Sequence, residues 1–171
     1  MNLNYINTDF MIILAIALLI GLGLQFLFLR TLYRCLLCVH PQNRKLAPGL
    51  VFLMFIPLFN LVWRFIVVNR LAESLRLEFA LRNSVPNELF PGRNTGISYA
   101  VASVVSATQI PVLAPIGGIV GLVLWLVYWS KMASYRKTLL RIPLPPQGAY
   151  QQELPHTHTP AGWRPREEDN R

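Results

Sequence analysis

Apolar residues run almost unbroken from Phe10 to Leu29, about the 30 Å of α-helix that a hydrocarbon core requires. This pattern predicts a transmembrane helix over 10–29. Asp9 is the one charge before the run, while Arg30 and Arg34 follow it, an order that suits a retained anchor better than a cleaved signal. Nothing breaks a helix before Pro41, so helical character is expected to continue through Val39, with Arg30 and Arg34 one turn apart at the water boundary. A second apolar run, 48–68, is interrupted by Asn60 and Arg64 and centred on Ile56-Pro57-Leu58-Phe59-Asn60. The proline leaves two arms of roughly 14 Å of helix, half a bilayer each, so both a re-entrant hairpin and a Pro-kinked span fit. Residues 69–83 read as an amphipathic surface helix, with Leu71, Leu75 and Phe79 on one stripe and Glu78 placed to pair with Arg82. That stripe suits either the membrane interface or the rest of the protein. Residues 84–95, holding Pro86, Pro91 and Gly92, read as a loop.

The stretch from Ile97 to Trp129 carries no charge and is too long for one span. Pro111, Pro115, Gly117 and Gly118 interrupt it, which predicts a helical hairpin turning near Ile110 to Pro115, with arms 97–113 and 115–130. Trp125, Tyr128 and Trp129 close the second arm, where amphipathic aromatics settle at a headgroup boundary. From Ile142 six prolines and a mixed-charge end describe a disordered Pro-rich tail, within which Arg141 to Pro146 has the character of a polyproline segment or solvated spacer. The expected fold is therefore an all-α membrane protein: a helical membrane domain over 1–141 and a tail over 142–171.

Composition agrees: of 171 residues 53% are apolar and 14% charged, with mean hydropathy +0.40, unlike an ordinary soluble domain. The net charge of +8 lies beside apolar segments, which points to membrane orientation and anionic headgroups rather than nucleic acid. Outside the apolar runs, the first segment is preceded by no Lys or Arg, four lie in 30–47, four in 69–95 and seven after Trp129. Four full spans would split these bases between the two faces. Re-entry of 48–68 would gather all 15 on one face and leave none on the other, which is the positive-inside pattern with the N-terminus outside and the C-terminus cytoplasmic. The two hairpins would then form a weak parallel repeat, Ile56-Pro57 leading to Arg70-Leu71-Ala72 and Ile110-Pro111 to Lys131-Met132-Ala133.

Arg64 is the one charge inside an apolar run, and its burial costs at least about 2–3 kcal/mol. Its candidate partners are Asn60 one turn away, carbonyls freed by Pro57, or a lipid phosphate. Together with Arg30, Arg34 and Lys131, Arg64 and Asn60 form the candidate contacts to lipid or a partner. Small residues recur at helical spacing in Ala17/Gly21, Ser98/Ala102/Ser106 and Gly117/Gly121, faces that let helices approach closely within this chain or against another subunit. Ser103, Ser106 and Gln109 could line a polar path with Arg64. Cys35 and Cys38 form a Cys-Leu-Leu-Cys pair near His40, without the ligand set of a zinc site or the βαβ setting of a redox dithiol. They read as inert thiols. No nucleophile-and-base pair, paired carboxylates or phosphate loop is present, so no enzyme and no cofactor is expected.

The segment Asn43 to Arg82, with its Asn-Arg pair, Pro-Gly, Ile-Pro-Leu-Phe-Asn-Leu-Val-Trp-Arg-Phe and Asn-Arg-Leu-Ala-Glu-Ser-Leu-Arg, resembles a motif in a family of small bacterial integral membrane proteins of unknown function. The resemblance covers about a quarter of the chain and implies a multi-pass protein of a bacterial inner membrane, with no activity attached. The expectation is a non-enzymatic accessory subunit or scaffold of a larger membrane assembly, in contact with anionic headgroups on the cytoplasmic side and with a protein partner or further copies of itself. Two alternatives stand beside it: a small transporter or channel component using Arg64 and the Ser103/Ser106/Gln109 face, and a lipid-binding or membrane-shaping protein.

Overall fold

The computed structural model describes residues 3–84 and 88–144, with side chains from residue 9 onward; most of the Pro-rich tail lies outside the described residues. Among these residues the fold is entirely helical. Helix α1, Leu3–Leu37, begins before the expected run 10–29 and continues past it as the lack of a breaker before Pro41 predicts, ending two residues short of Val39. Its last turn tightens through bonds from Cys38 N to the Cys35 carbonyl and from Val39 N to Leu36. A short 3-10 turn, Pro41–Asn43, and a 3-10 helix, Pro48–Phe55, follow, each opened by a proline whose missing N–H is no loss at that position.

The chain then reverses at Ile56 into α2, Pro57–Leu81. The 3-10 helix lies back against α2, held where the Trp63 indole N–H donates to the Leu50 carbonyl at 2.9 Å. Phe52 sits among Phe26, Tyr33 and Phe55, packing the same arm onto α1. The expected separate surface helix over 69–83 is instead the second half of α2. The helix runs unbroken through the change from apolar to polar sequence, and the Asn69 side-chain amide donates back to the Phe65 carbonyl. Its stripe of Leu71, Leu75 and Phe79 is buried in the protein core. Helix α2 ends at Asn83, in the left-handed region at φ 50°, with Ser84 N bonded to Phe79 O and Asn83 N to Ala80 O, a Schellman closure with Asn in place of Gly.

Helices α3, Arg93–Ala107, and α4, Leu113–Arg141, form the C-terminal hairpin. Its turn, 108–112, contains Ile110-Pro111, so an Ile-Pro pair marks the reversal in both hairpins. The boundaries differ from the expected arms 97–113 and 115–130: α3 starts earlier and already ends at Ala107, and α4 is the longer of the two. Arg93 to Thr95, read as loop, open α3 behind Gly92, and α4 continues past 130 to Arg141 because the next breaker is Pro143.

Directions follow from the contacts. Trp129 bonds Thr31 and Phe28 meets Trp125, Tyr128 and Trp129, so α1 and α4 run parallel. Asn69 meets Arg93 while Arg64 meets Tyr99, so α2 and α3 run antiparallel. The C-terminal ends of α1, α2 and α4 consequently share one end of the bundle. Arg82 joins them there: it donates to the carbonyls of Cys38, Leu139 and Ile142, and to Glu78, which is fully buried and accepts from His40 N and the Asn43 amide. A cation at three helix C-termini is favourably placed for their macrodipoles.

Two helices, Asp9–Leu37 and Leu113–Arg141, are long and apolar enough to cross a membrane. Only 11% and 17% of their most apolar stretches are buried within the chain, which separates them from core helices of a water-soluble fold.

Candidate binding cavity around Arg64

Arg64 points inward from α2, packed with its guanidinium 4.5 Å from the centroid of the Tyr99 ring. A cation over an aromatic face is stabilised by about 0.5–2 kcal/mol. Neither Asn60 nor the carbonyl freed by Pro57 is bonded to the guanidinium. The Asn60 amide oxygen is buried without a hydrogen bond, and the Leu53 carbonyl freed by Pro57 accepts instead from Ile56 N. Arg64 Nε is itself buried without an acceptor among the described residues.

This side chain borders a cavity of about 450 Å³ between α1 and the α3/α4 hairpin, within the range of small-molecule sites. Helix α1 contributes Gly21, Leu24 and Gln25, α3 contributes Tyr99, Ser103 and Ser106, and α4 contributes Gly117, Gly118, Gly121 and Trp125. The Trp125 indole N–H is a second buried donor without an acceptor. The Ser103 hydroxyl donates to the Tyr99 carbonyl at 2.8 Å and keeps its lone pairs. The lining thus offers one cation and an excess of donors, and no carboxylate. A guanidinium beside hydroxyl and indole donors is suited to binding an anion or carbonyl oxygen.

Of the residues singled out from sequence, Arg64, Ser103, Ser106, Gly21, Gly117 and Gly121 meet at this cavity. Gln109 does not; it sits in the α3/α4 turn with φ 58°. The small faces divide. A Cβ at Gly117 would lie 2.8 Å from Ser106 N and 3.1 Å from Ala102 O, and one at Gly121 would touch Ala102, so these form the α3/α4 seam. Gly21 has open space and Ala17 is exposed. Ser98 lines an outer apolar groove with Val101 and Ile116.

Lys131 is paired with Glu88, whereas Arg30 and Arg34 face a separate cleft with Arg136. The Glu88 carboxylate is held below its usual range, first by the Lys131 bond, then against a smaller desolvation effect by the Gly92 N–H. Cys35 is buried in the core and both thiols are free. The sequence assigns Trp125 to a headgroup boundary rather than to this cavity and does not single out Tyr99, although Tyr99, Ser103 and Ser106 stand at i, i+4 and i+7, one helical face that joins the tyrosine to the serines.

Comparison of the chain with protein-family models, with curated proteins and with solved structures gives no match.

Proposed function

We propose that this is a non-enzymatic multi-pass protein of a bacterial inner membrane that binds the singly charged oxyanion head, carboxylate or phosphodiester, of a lipid-soluble molecule in the Arg64 cavity. One observation carries the reading: two buried donors without acceptors, Arg64 Nε and Trp125 Nε1, border the same acid-free cavity. A buried unsatisfied donor costs about 1–3 kcal/mol, a cost that an anion entering the cavity and reaching either donor would relieve. The test is binding by the full chain in lipid nanodiscs. A long-chain carboxylate and phosphatidylglycerol are compared with the corresponding alcohol and with diacylglycerol. The anionic forms bind at least about tenfold tighter, and Arg64→Gln removes the difference. Equal binding of charged and neutral forms would dismiss the reading.

A second reading is favoured by the groove on the outer face of α3 and α4, where Ile97, Val101, Leu113 and Val120 are apolar and Ser98 and Gly117 small. Such a face suits a helix of another membrane protein, as an accessory subunit would offer. Purification in mild detergent that yields a monodisperse chain without a companion would count against it. The transport alternative keeps Arg64, Ser103 and Ser106 but loses Gln109, and solute flux in proteoliposomes abolished by Arg64→Gln is its distinguishing mark.

A further inference from the structure

Arg30 and Arg34 stand one turn apart on α1, and Arg136 approaches from the parallel α4. With Leu27, Thr31 and Trp129 they enclose a cleft of about 250 Å³. Like charges at i, i+4 repel by a few tenths of a kcal/mol, and a third guanidinium adds to this. None of the three has a carboxylate in an ion pair among the described residues: Glu73 serves Arg70, Glu78 serves Arg82 and Glu88 serves Lys131. Among the described residues the cluster is thus three cations without a paired carboxylate.

The cleft is also fixed in width. Trp129 Nε1 donates to Thr31 Oγ1 at 3.0 Å, and that hydroxyl donates to the Leu27 carbonyl at 2.9 Å, which ties α1 to α4 at its base. On its N-terminal side the α1 surface turns apolar at once, with Leu24 and Leu27 exposed. Cations above, an indole at the boundary and exposed leucines below match the order of phosphate, glycerol and acyl chain along a phospholipid.

We infer that Arg30, Arg34 and Arg136 form a site for a phospholipid whose phosphate headgroup carries two negative charges. Guanidinium forks suit a terminal phosphate because they present paired donors to its oxygens. This site shares no lining residue with the Arg64 cavity, so the two stand or fall separately.

The probes are vesicles of phosphatidylcholine alone, or with a minor fraction of phosphatidic acid or phosphatidylglycerol. Lipid retained by the purified full chain is measured by native mass spectrometry. The chain retains phosphatidic acid at least about tenfold over phosphatidylcholine and severalfold over phosphatidylglycerol. Measured in an Arg64→Gln background, so that the Arg64 cavity does not contribute, Arg34→Gln/Arg136→Gln abolishes that preference and Arg34→Lys/Arg136→Lys keeps part of it. Millimolar inorganic phosphate does not displace the lipid. Unchanged retention by the glutamine variant, with its unfolding temperature also unchanged, would overturn the site. Displacement by free phosphate would overturn the lipid assignment, and equal retention of phosphatidylglycerol the two-charge assignment.

Discussion

The side chains of Arg64, in α2, and Arg82, at its C-terminal cap, are both buried, and their surroundings give them opposite consequences. Arg82 has its pair with Glu78 and three carbonyl acceptors, so Arg82→Met leaves a buried carboxylate without its cation. A loss of about 3–5 kcal/mol is expected, visible in denaturant unfolding of the purified protein. Arg64 has an aromatic face and an unsatisfied Nε. Intramembrane placement costs about 2.5–3.5 kcal/mol against about 0.5–2 from the ring, so Arg64→Met is expected to stabilise the chain by roughly 1–2 kcal/mol while abolishing anion binding. A drop in stability would show that Arg64 is a structural residue. Acid acts on a third charge. Because the Glu88 carboxyl is depressed in the folded state, its contribution is complete above the ordinary glutamate value, near 4.3, and fades as pH falls through the lower folded value. Half-exposed ion pairs are weak, so acidification below about pH 4 should lower the unfolding temperature by no more than roughly 2–4 °C through this group. Comparison with Glu88→Gln isolates that share, and an identical acid profile in the variant would remove Glu88 from the account.

At the level of elements, the contacts that matter are those where backbone meets backbone. Gly117 lets α4 lie on α3, and an added Cβ would meet the main chain of Ser106 rather than a yielding side chain. Gly117→Ala is therefore expected to cost about 1–3 kcal/mol in denaturant unfolding, whereas Gly23→Ala, with nothing within 4 Å, should be neutral or gain up to about 1 kcal/mol in helix propensity. Equal effects at the two glycines would contradict this close approach. The elements themselves were largely legible, since the prolines at 41, 48, 57, 111 and 143 stand at or beside the observed ends and turns. What could not be read was continuity through Asn69. An apolar run giving way to polar residues marks either a new element or a helix passing from one environment into another, and periodicity does not separate these. Nor does sequence reveal that Glu78 and Arg82, which resemble a solvated i, i+4 pair, close the end of the bundle. Their burial depends on His40, Asn43 and Leu139 arriving from other elements. The Arg64 cavity was half legible. The cation, the serines and the small residues stood out, but the register that sets Tyr99 beneath the guanidinium belongs to the α2/α3 packing.

The whole molecule supplies an argument about topology that does not use charge counting. Helices α1 and α4 are parallel, and the C-terminal end of α2 is bonded to theirs through Arg82. From Val68 back to Pro57 is about 18 Å of helix, well short of a 30 Å hydrocarbon core, and at that point the chain reverses into the 3-10 helix. With α1 and α4 both crossing, as proposed, loops 38–47 and 82–92 and the end of α4 fall on one face, and the first hairpin enters and leaves from it. The four bases of 30–47, the four of 69–95 and Lys131, Arg136, Lys137 and Arg141 would then share that face, the grouping that a positive-inside bias favours. Single cysteines at Asp9, Asn94 and Gln109, in a background of Cys35→Ala and Cys38→Ala, test this with a membrane-impermeant thiol reagent on intact cells. Asp9→Cys and Gln109→Cys react from outside, while Asn94→Cys reacts only after permeabilisation. Labelling of both Asp9→Cys and Asn94→Cys in intact cells would require the Pro57 segment to cross completely, which would separate the ends of α1 and α2 and break the Arg82 junction. The junction also permits a second reading of the same experiment. If Asn94→Cys becomes accessible only when Arg82→Met is added, re-entry depends on that tie, and the first hairpin is held in place from its base rather than by its apolar tip.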